Sequence, residues 1–116
     1  IQKFDTSAYL LGWGVPTFDA LYSLVSLART VGKDGDGNFN LGRVSNPEFD
    51  KLVDAMKSEV DQKKRNQLIA DALLAHNRNV MHIPLHNQVI PWAMRKNVTV
   101  VHRADNRLEG RWVRVD

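Results

Sequence analysis

The chain has 116 residues, of which 43% are hydrophobic and 25% charged, with a formal net charge of +3 and no cysteine. That balance excludes a disordered or fibrous polymer and fits a globular domain with a modest core, while the missing cysteine excludes disulfide and thiol chemistry. No run reaches the roughly 20 apolar residues that cross a bilayer, since Leu21 to Val31 is short and is interrupted by Ser23, Ser26 and Arg29.

From Phe4 to Trp13 the chain combines Phe4, Ala8, Tyr9, Leu10 and Leu11 with few polar groups and ends in Gly-Trp-Gly, the pattern of a buried strand running out into a loop. Phe18, Leu21, Tyr22, Leu24, Val25 and Ala28 then follow helical spacing, which predicts a helix over 18–31 with Thr17 as its N-cap. Gly32 to Asn38 is loop chemistry, because glycine, asparagine and aspartate tolerate positive φ. The next helix has a clear start, with Asn46 as N-cap, Pro47 at the first helical position and Glu48 and Asp50 at the positive dipole end. Phe49, Leu52, Val53 and Met56 mark its buried face. Asp61 caps a further helix with a stripe of Leu68, Ile69, Ala72, Leu73 and His76, leaving Lys63, Lys64 and Arg65 to water. The two helices form an αα-hairpin.

Beyond Val80 the period becomes two, with Ile83, Leu85 and Val89 on one side and His82, Pro84, His86 and Gln88 on the other, so 83–89 is expected to be a strand with a polar face. Val98–Val101 and Trp112–Val115 are further strand candidates around a turn at Ala104–Arg107. The expected class is α/β or α+β.

Chemistry-bearing groups are few. His82 and His86 stand four apart, but Pro84 opposes a helix, and on a strand the pair is about 13 Å apart, too far to share one metal ion. His76 on its helical stripe reads as a core-edge histidine bonded to a carbonyl. Asp34, Asp36 and Asn38 imitate the start of a calcium loop, but Phe39 stands where the sixth-position glycine belongs and Ser45 where the closing glutamate belongs. No serine has a G-x-S-x-G surround, and no glycine cluster has P-loop or dinucleotide spacing. The expectation is therefore no enzyme, no metal and no cofactor. The positive excess lies in the last third, where Arg95, Lys96, Arg103, Arg107, Arg111 and Arg114 face Asp105, Glu109 and Asp116. With no aromatic ladder for bases there, nucleic acid is not the expected partner. A small basic α/β module binding nucleic acid or an acidic protein is the alternative class.

Three segments in order, Leu11-Gly-Trp-Gly-Val-Pro-Thr-Phe-Asp-Ala20, Ser45-Asn-Pro-Glu-Phe-Asp-Lys-Leu52 and Ile83-Pro-Leu-His-Asn-Gln88, resemble the C-terminal part of the family 5 extracellular solute-binding proteins. These are the dipeptide- and oligopeptide-binding components of ABC importers. The resemblance covers nearly the whole chain and implies part of a longer protein with a two-lobed type II periplasmic-binding-protein fold, its helices packed on a small mixed sheet. On that map residues 1–89 belong to the second, ligand-binding lobe, and 90–116 return to complete the first. The resemblance implies a periplasmic or extracellular, membrane-associated location, a peptide or peptide-like ligand and a membrane permease as partner. An isolated piece would bury its tail on its own lobe or pair as a homodimer.

Residue by residue, the resemblance puts Trp13 on the wall of the ligand pocket, where a rigid ring gives apolar contact at small entropic cost; an ordinary core tryptophan is the other reading. Pro16 stands where many members carry the aspartate that meets a peptide's α-ammonium group, and Asp19 resembles the family's second loop acid or simply caps the helix. Asn40 and Arg43 are polar cleft candidates, the latter suited to a carboxylate, with loop bracing as the other role. His86 and Gln88 are expected on a cleft wall or on a solvent-facing strand.

Overall fold

The computed structural model describes Lys3 and residues 7–116. Among these, the chain forms α1 (Ala20–Ser23, running on as a π-helical turn, Leu24–Ala28), α2 (Pro47–Ser58), α3 (Gln62–Arg78), β1 (Val98–Thr99) and β2 (Arg114–Val115). It divides into two units, Ile1–Ile83 and Pro84–Asp116. It is thus a small α/β protein with three helices and a two-stranded antiparallel sheet.

The first unit is built on the α2–α3 hairpin. The Asn46 side chain accepts from the Glu48 and Phe49 amides at 3.1 Å each, and Pro47 follows at the first helical position. These groups satisfy donors that a helix start leaves open. Phe49, Val53 and Met56 are fully buried on one face, against Ala72 and Ala75 of α3 and Leu24 and Ala28 of the first helix. Asp61 caps α3 through the Lys64 amide at 2.9 Å. The expected stripe on α3 keeps its face and changes by one member: Leu68, Ile69 and Ala72 face the core, with Ala75 in place of Leu73, which is exposed. Small residues there let α2 come close.

The first helix is shorter than the spacing predicted. Phe18 takes a left-handed backbone (φ 54°) and is 73% exposed, so the helix begins two residues later. Its cap is Asp19, whose carboxylate accepts from the Leu21 amide at 2.8 Å; Thr17 only braces the Asp19 amide at 3.3 Å. The chain then widens into a π turn in which the Arg29 amide reaches the Leu24 carbonyl at 3.0 Å. The loop that follows answers the carbonyls the helix end leaves open: Gly37 and Phe39 amides donate to Val25 and Ser26 at 2.9 Å each. Gly37 has φ 68°, and a Cβ there would collide with the Arg29 carbonyl and Val31. Only glycine fits.

Two expected strands do not form. Residues 7–13 are irregular and Leu10 is exposed, while Phe4 lies outside the described residues. Residues 83–89 are also irregular, with Ile83 74% and Val89 85% exposed. An alternating apolar pattern specifies a strand only when a neighbouring strand pairs with its backbone. No such neighbour is present among the described residues. The mixed sheet expected from the resemblance is likewise replaced by one antiparallel pair, with Val98 opposite Val115 and Thr99 opposite Arg114.

In the second unit no residue is buried. Polar and ring contacts hold it instead: Trp92 donates to Asn106 at 2.7 Å and packs on His102, and the Asp116 amide donates to the Asn97 carbonyl at 2.9 Å. The sequence boundary near residue 89 and this division between Ile83 and Pro84 lie six residues apart.

Replacing Asn46 by Ala is expected to lower stability by about 1 kcal/mol, the usual value of such a cap. Phe49→Ala is expected to cost about 3–5 kcal/mol. Urea denaturation followed by far-ultraviolet circular dichroism checks both, and a Phe49→Ala loss no larger than that of Asn46→Ala would contradict the assigned core.

Candidate functional site

Three aromatic rings gather where the segment before α1 meets the loop after it. Trp13, half-buried, stacks on Tyr22 with ring centres 5.5 Å apart and takes Phe39 edge-on at 5.1 Å. Its Nε1 donates to Ser23 Oγ at 3.0 Å. The indole is therefore held in orientation by a hydrogen bond from one end and by two rings. Beside it lies an open, largely apolar groove of about 350 Å³, lined by Thr17, Asp19, Leu21, Tyr22, Val25 and Ser26. Tyr22 belongs to both the cluster and the groove.

Asp19 stands at the groove's polar edge. It caps α1 and receives Arg65 Nη2 on both carboxylate oxygens at 2.9 Å. The Arg65 guanidinium, aided by the Leu21 amide, holds the Asp19 carboxyl below the usual carboxylate range. Arg65 was assigned to water with its lysine neighbours. The structure corrects this: its side chain is only 19% exposed. The signal was in the spacing, since Arg65, Leu68, Ile69 and Ala72 are i, i+3, i+4 and i+7, so Arg65 opens the buried stripe.

Asn40 is 3% exposed and braces the loop. Its amide nitrogen donates to the Arg29 and Val44 carbonyls at 3.1 and 2.7 Å, and its oxygen accepts from the Val44 amide at 3.1 Å. Arg43, exposed with φ 53°, ends the turn that Asn40 starts. Trp13, Asp19, Asn40 and Arg43 belong to the first unit. His86 and Gln88 are exposed and belong to the second.

Near the same loop, Arg29 donates to Asp54 through Nε and Nη2 at 3.0 and 2.8 Å, and Lys57 meets Asp36 at 2.6 Å and Asp54 at 3.2 Å. Arg29 Nε also lies 3.1 Å from Asp36. The Asp36 carboxylate of the calcium-like loop is thus occupied by two cations. Hydrogen bonding to Arg29 lowers the Asp54 carboxyl, and Asp36 raises the Lys57 ammonium. Asp50, at the positive dipole end of α2, accepts from the Thr30 amide at 2.9 Å. These groups fasten the loop to α2.

His76 is at the core edge as expected, but its partner is not a carbonyl. Its Nε2 lies 2.9 Å from His82 Nδ1, with ring planes 2° apart. Ring centres 5.2 Å apart match an end-to-end arrangement, in which both nitrogens lie on the line between the rings. Lone pairs that meet head-on do not converge on one tetrahedral ion. Burial holds the His82 imidazole below its ordinary value, and the charge of His76 adds to that.

No family model, curated protein or solved structure matches the chain.

The Asp19–Arg65 pair gives a pH signature. Because the folded carboxyl titrates below the unfolded one, its stabilisation is complete above about pH 4 and fades as pH falls through the lower folded value. Asp19→Asn keeps a capping side chain and removes the charge. It is expected to cost less than about 1 kcal/mol at neutral pH, given the pair's access to solvent, with the gap closing in acid. Thermal melts of both proteins from neutral pH downward test this; a gap that does not depend on pH would show that the ion pair contributes nothing.

Proposed function

We propose that the chain is part of the substrate-binding component of an ABC importer, one that captures peptides or peptide-like small molecules and passes them, unchanged, to a membrane permease. The observation that carries this reading is the groove beside the oriented Trp13–Tyr22–Phe39 cluster. Its volume is of the size that holds a small ligand, and its apolar lining with a few polar groups suits side chains of varied shape. The order of the three sequence segments supports the same family assignment, a two-lobed type II periplasmic-binding-protein fold and a periplasmic or extracellular location.

In this reading Leu21, Tyr22 and Val25 supply apolar wall, Trp13 backs Tyr22, and the groove's hydroxyls, Thr17 and Ser26, supply orientation. Asp19 contributes only part of its charge to a ligand, because Arg65 already occupies both oxygens. Together with Pro16 in place of the family's acid, this favours a peptide-like ligand whose amine is modified or absent. The resemblance adds His86 and Gln88 as further polar contacts, and in the longer parent protein closure of two lobes over the ligand favours the form that docks on the permease.

The basic-module alternative draws on Arg103 and Arg111, which lie over the Trp112 ring at 5.2 and 5.4 Å. Both are already paired, Arg103 with Asp105 and Arg111 with Glu109. That leaves the groove as the better-supported site.

Native mass spectrometry of the protein purified from an exporting host is expected to show a retained small molecule. Titration with a pool of short blocked peptides is expected to change tryptophan fluorescence, and Trp13→Ala to weaken binding by about tenfold or more while Trp13→Phe recovers most of it. Affinity for DNA that falls steeply with salt, with no peptide response, would favour the basic-module reading instead.

A further inference from the structure

We infer that His76 and His82 form a proton-controlled latch, which near neutral pH holds residues 79–83, the connection into the second unit, against the end of α3 and releases them in mild acid. This does not rest on the transport reading.

The end-to-end geometry carries the argument. Between His76 Nε2 and His82 Nδ1, 2.9 Å apart, there is room for one hydrogen. With both rings neutral, one facing nitrogen donates and the other accepts. With a single extra proton on the pair, one facing nitrogen can still accept, and the bond persists. With both rings protonated, two N–H groups and two positive charges face each other, and the contact is lost. The latch therefore opens on the second proton.

What the latch holds is a short strained segment. Val80, a β-branched residue, has a left-handed backbone with φ 48°. Such a conformation persists only where its surroundings impose it. Two of the backbone bonds tying this segment to α3 are long, Asn79 to the Ala75 carbonyl at 3.3 Å and Met81 to His76 at 3.5 Å, while Val80 to Asn77 at 3.1 Å and Asn79 Nδ2 to the Ala75 carbonyl at 2.7 Å are of ordinary length. His82 follows immediately, and the unit boundary comes after Ile83. The imidazole contact is the tie beyond Val80 that responds to protons; without it Val80 is held by its own amide bond, the Asn79 side chain and the packing of Met81 on the core.

The surrounding charges leave the pair to itself. From α2 the Phe49 ring packs on His76 with centres 6.3 Å apart. Of the acids of that helix, Glu48 lies exposed in its first turn, Asp50 meets the Thr30 amide and Asp54 meets Arg29 and Lys57. On α3, Asn77 Oδ1 lies 3.5 Å from His76 Nδ1, and Arg78 is the adjacent cation. Between Arg78 and His82 the segment carries no ionisable side chain. The influences on His82 are burial first and then His76, with no carboxylate among them. A histidine depressed in the folded state stabilises above the ordinary value near pH 6.5, and that contribution is lost as pH falls through the lower folded value.

Amide hydrogen exchange on the intact protein at about pH 7.5 and about pH 5, corrected for intrinsic rates, tests the latch. Protection at Val80 and Met81, whose amides are hydrogen-bonded, is expected to fall by roughly tenfold or more in acid, while Val53 and Met56 within α2 stay protected. In His82→Phe, which fills the space without titrating, exchange at those amides is expected to lose its pH dependence. If that variant does not fold, nitrogen-15 spectra of the wild-type imidazoles decide: a shared proton gives two separated titration steps and a hydrogen-bonded Nδ1 signal for His82. Unchanged exchange at Val80 and Met81 between the two pH values, parallel loss of protection in α2, or two histidines titrating independently would each overturn the proposal.

Discussion

The close approach of α2 to α3 is the contact on which the rest of the first unit depends. Phe49, Val53 and Met56 supply volume, and Ala72 and Ala75 supply the space into which it fits. A bulky side chain at either alanine would push the helices apart, and overpacked cores lose stability as surely as hollow ones. Leu24 and Ala28 close the same core from the first helix, so the aromatic cluster and its groove stand on a platform set by the hairpin. The second unit has no such platform. Its rings and hydrogen bonds order it without a buried centre, which is the low-stability end of what a folded segment can be.

Polar chemistry around the loop is largely turned inward. Asn40 bonds three backbone groups, Asp36 neutralises two cations and Asp50 meets an amide. Each of these groups satisfies backbone or charge that the loop would otherwise leave open, which is what lets a segment with two left-handed glycines sit against a helix. In the proposed binding role, selectivity on the groove's wall depends on shape and on its largely apolar lining more than on charge.

The sequence disclosed the parts of the fold whose signals are local. Asn46-Pro47 and Asp61 act within three residues of themselves, and the Phe49 stripe repeats at a fixed spacing, so both helices of the hairpin were legible. The first helix was legible as a helix but not in its limits: Thr17 and Asp19 are both capping residues, and the backbone turn at Phe18 chose between them. Arg65 is hidden from a sequence reading because its charge outweighs its position on the stripe. The expected strands at 98–101 and 112–115 contain β1 and β2, whereas the other two strand expectations failed for a different reason. The patterns at 4–13 and 83–89 describe a face, and a face becomes a strand only through a partner in space. Of the candidate site, Trp13 was read from its motif, whereas its companions Tyr22 and Phe39 come from a helix and a loop that no spacing rule connects. The His76–His82 contact was equally out of reach, because it is made across the end of a helix after a left-handed turn at Val80.

The π turn at Leu24–Ala28 has a structural consequence of its own. A wide turn acts as a one-residue insertion, so everything after it is displaced around the axis by about 100° relative to a regular helix. Arg29, the first residue beyond it, owes its direction to that offset. Shortening the stretch by one residue would restore regular winding and aim the guanidinium away from Asp54, unfastening the loop without touching a single charge. The length of this stretch, rather than its composition alone, thus sets which face of α2 the loop can reach.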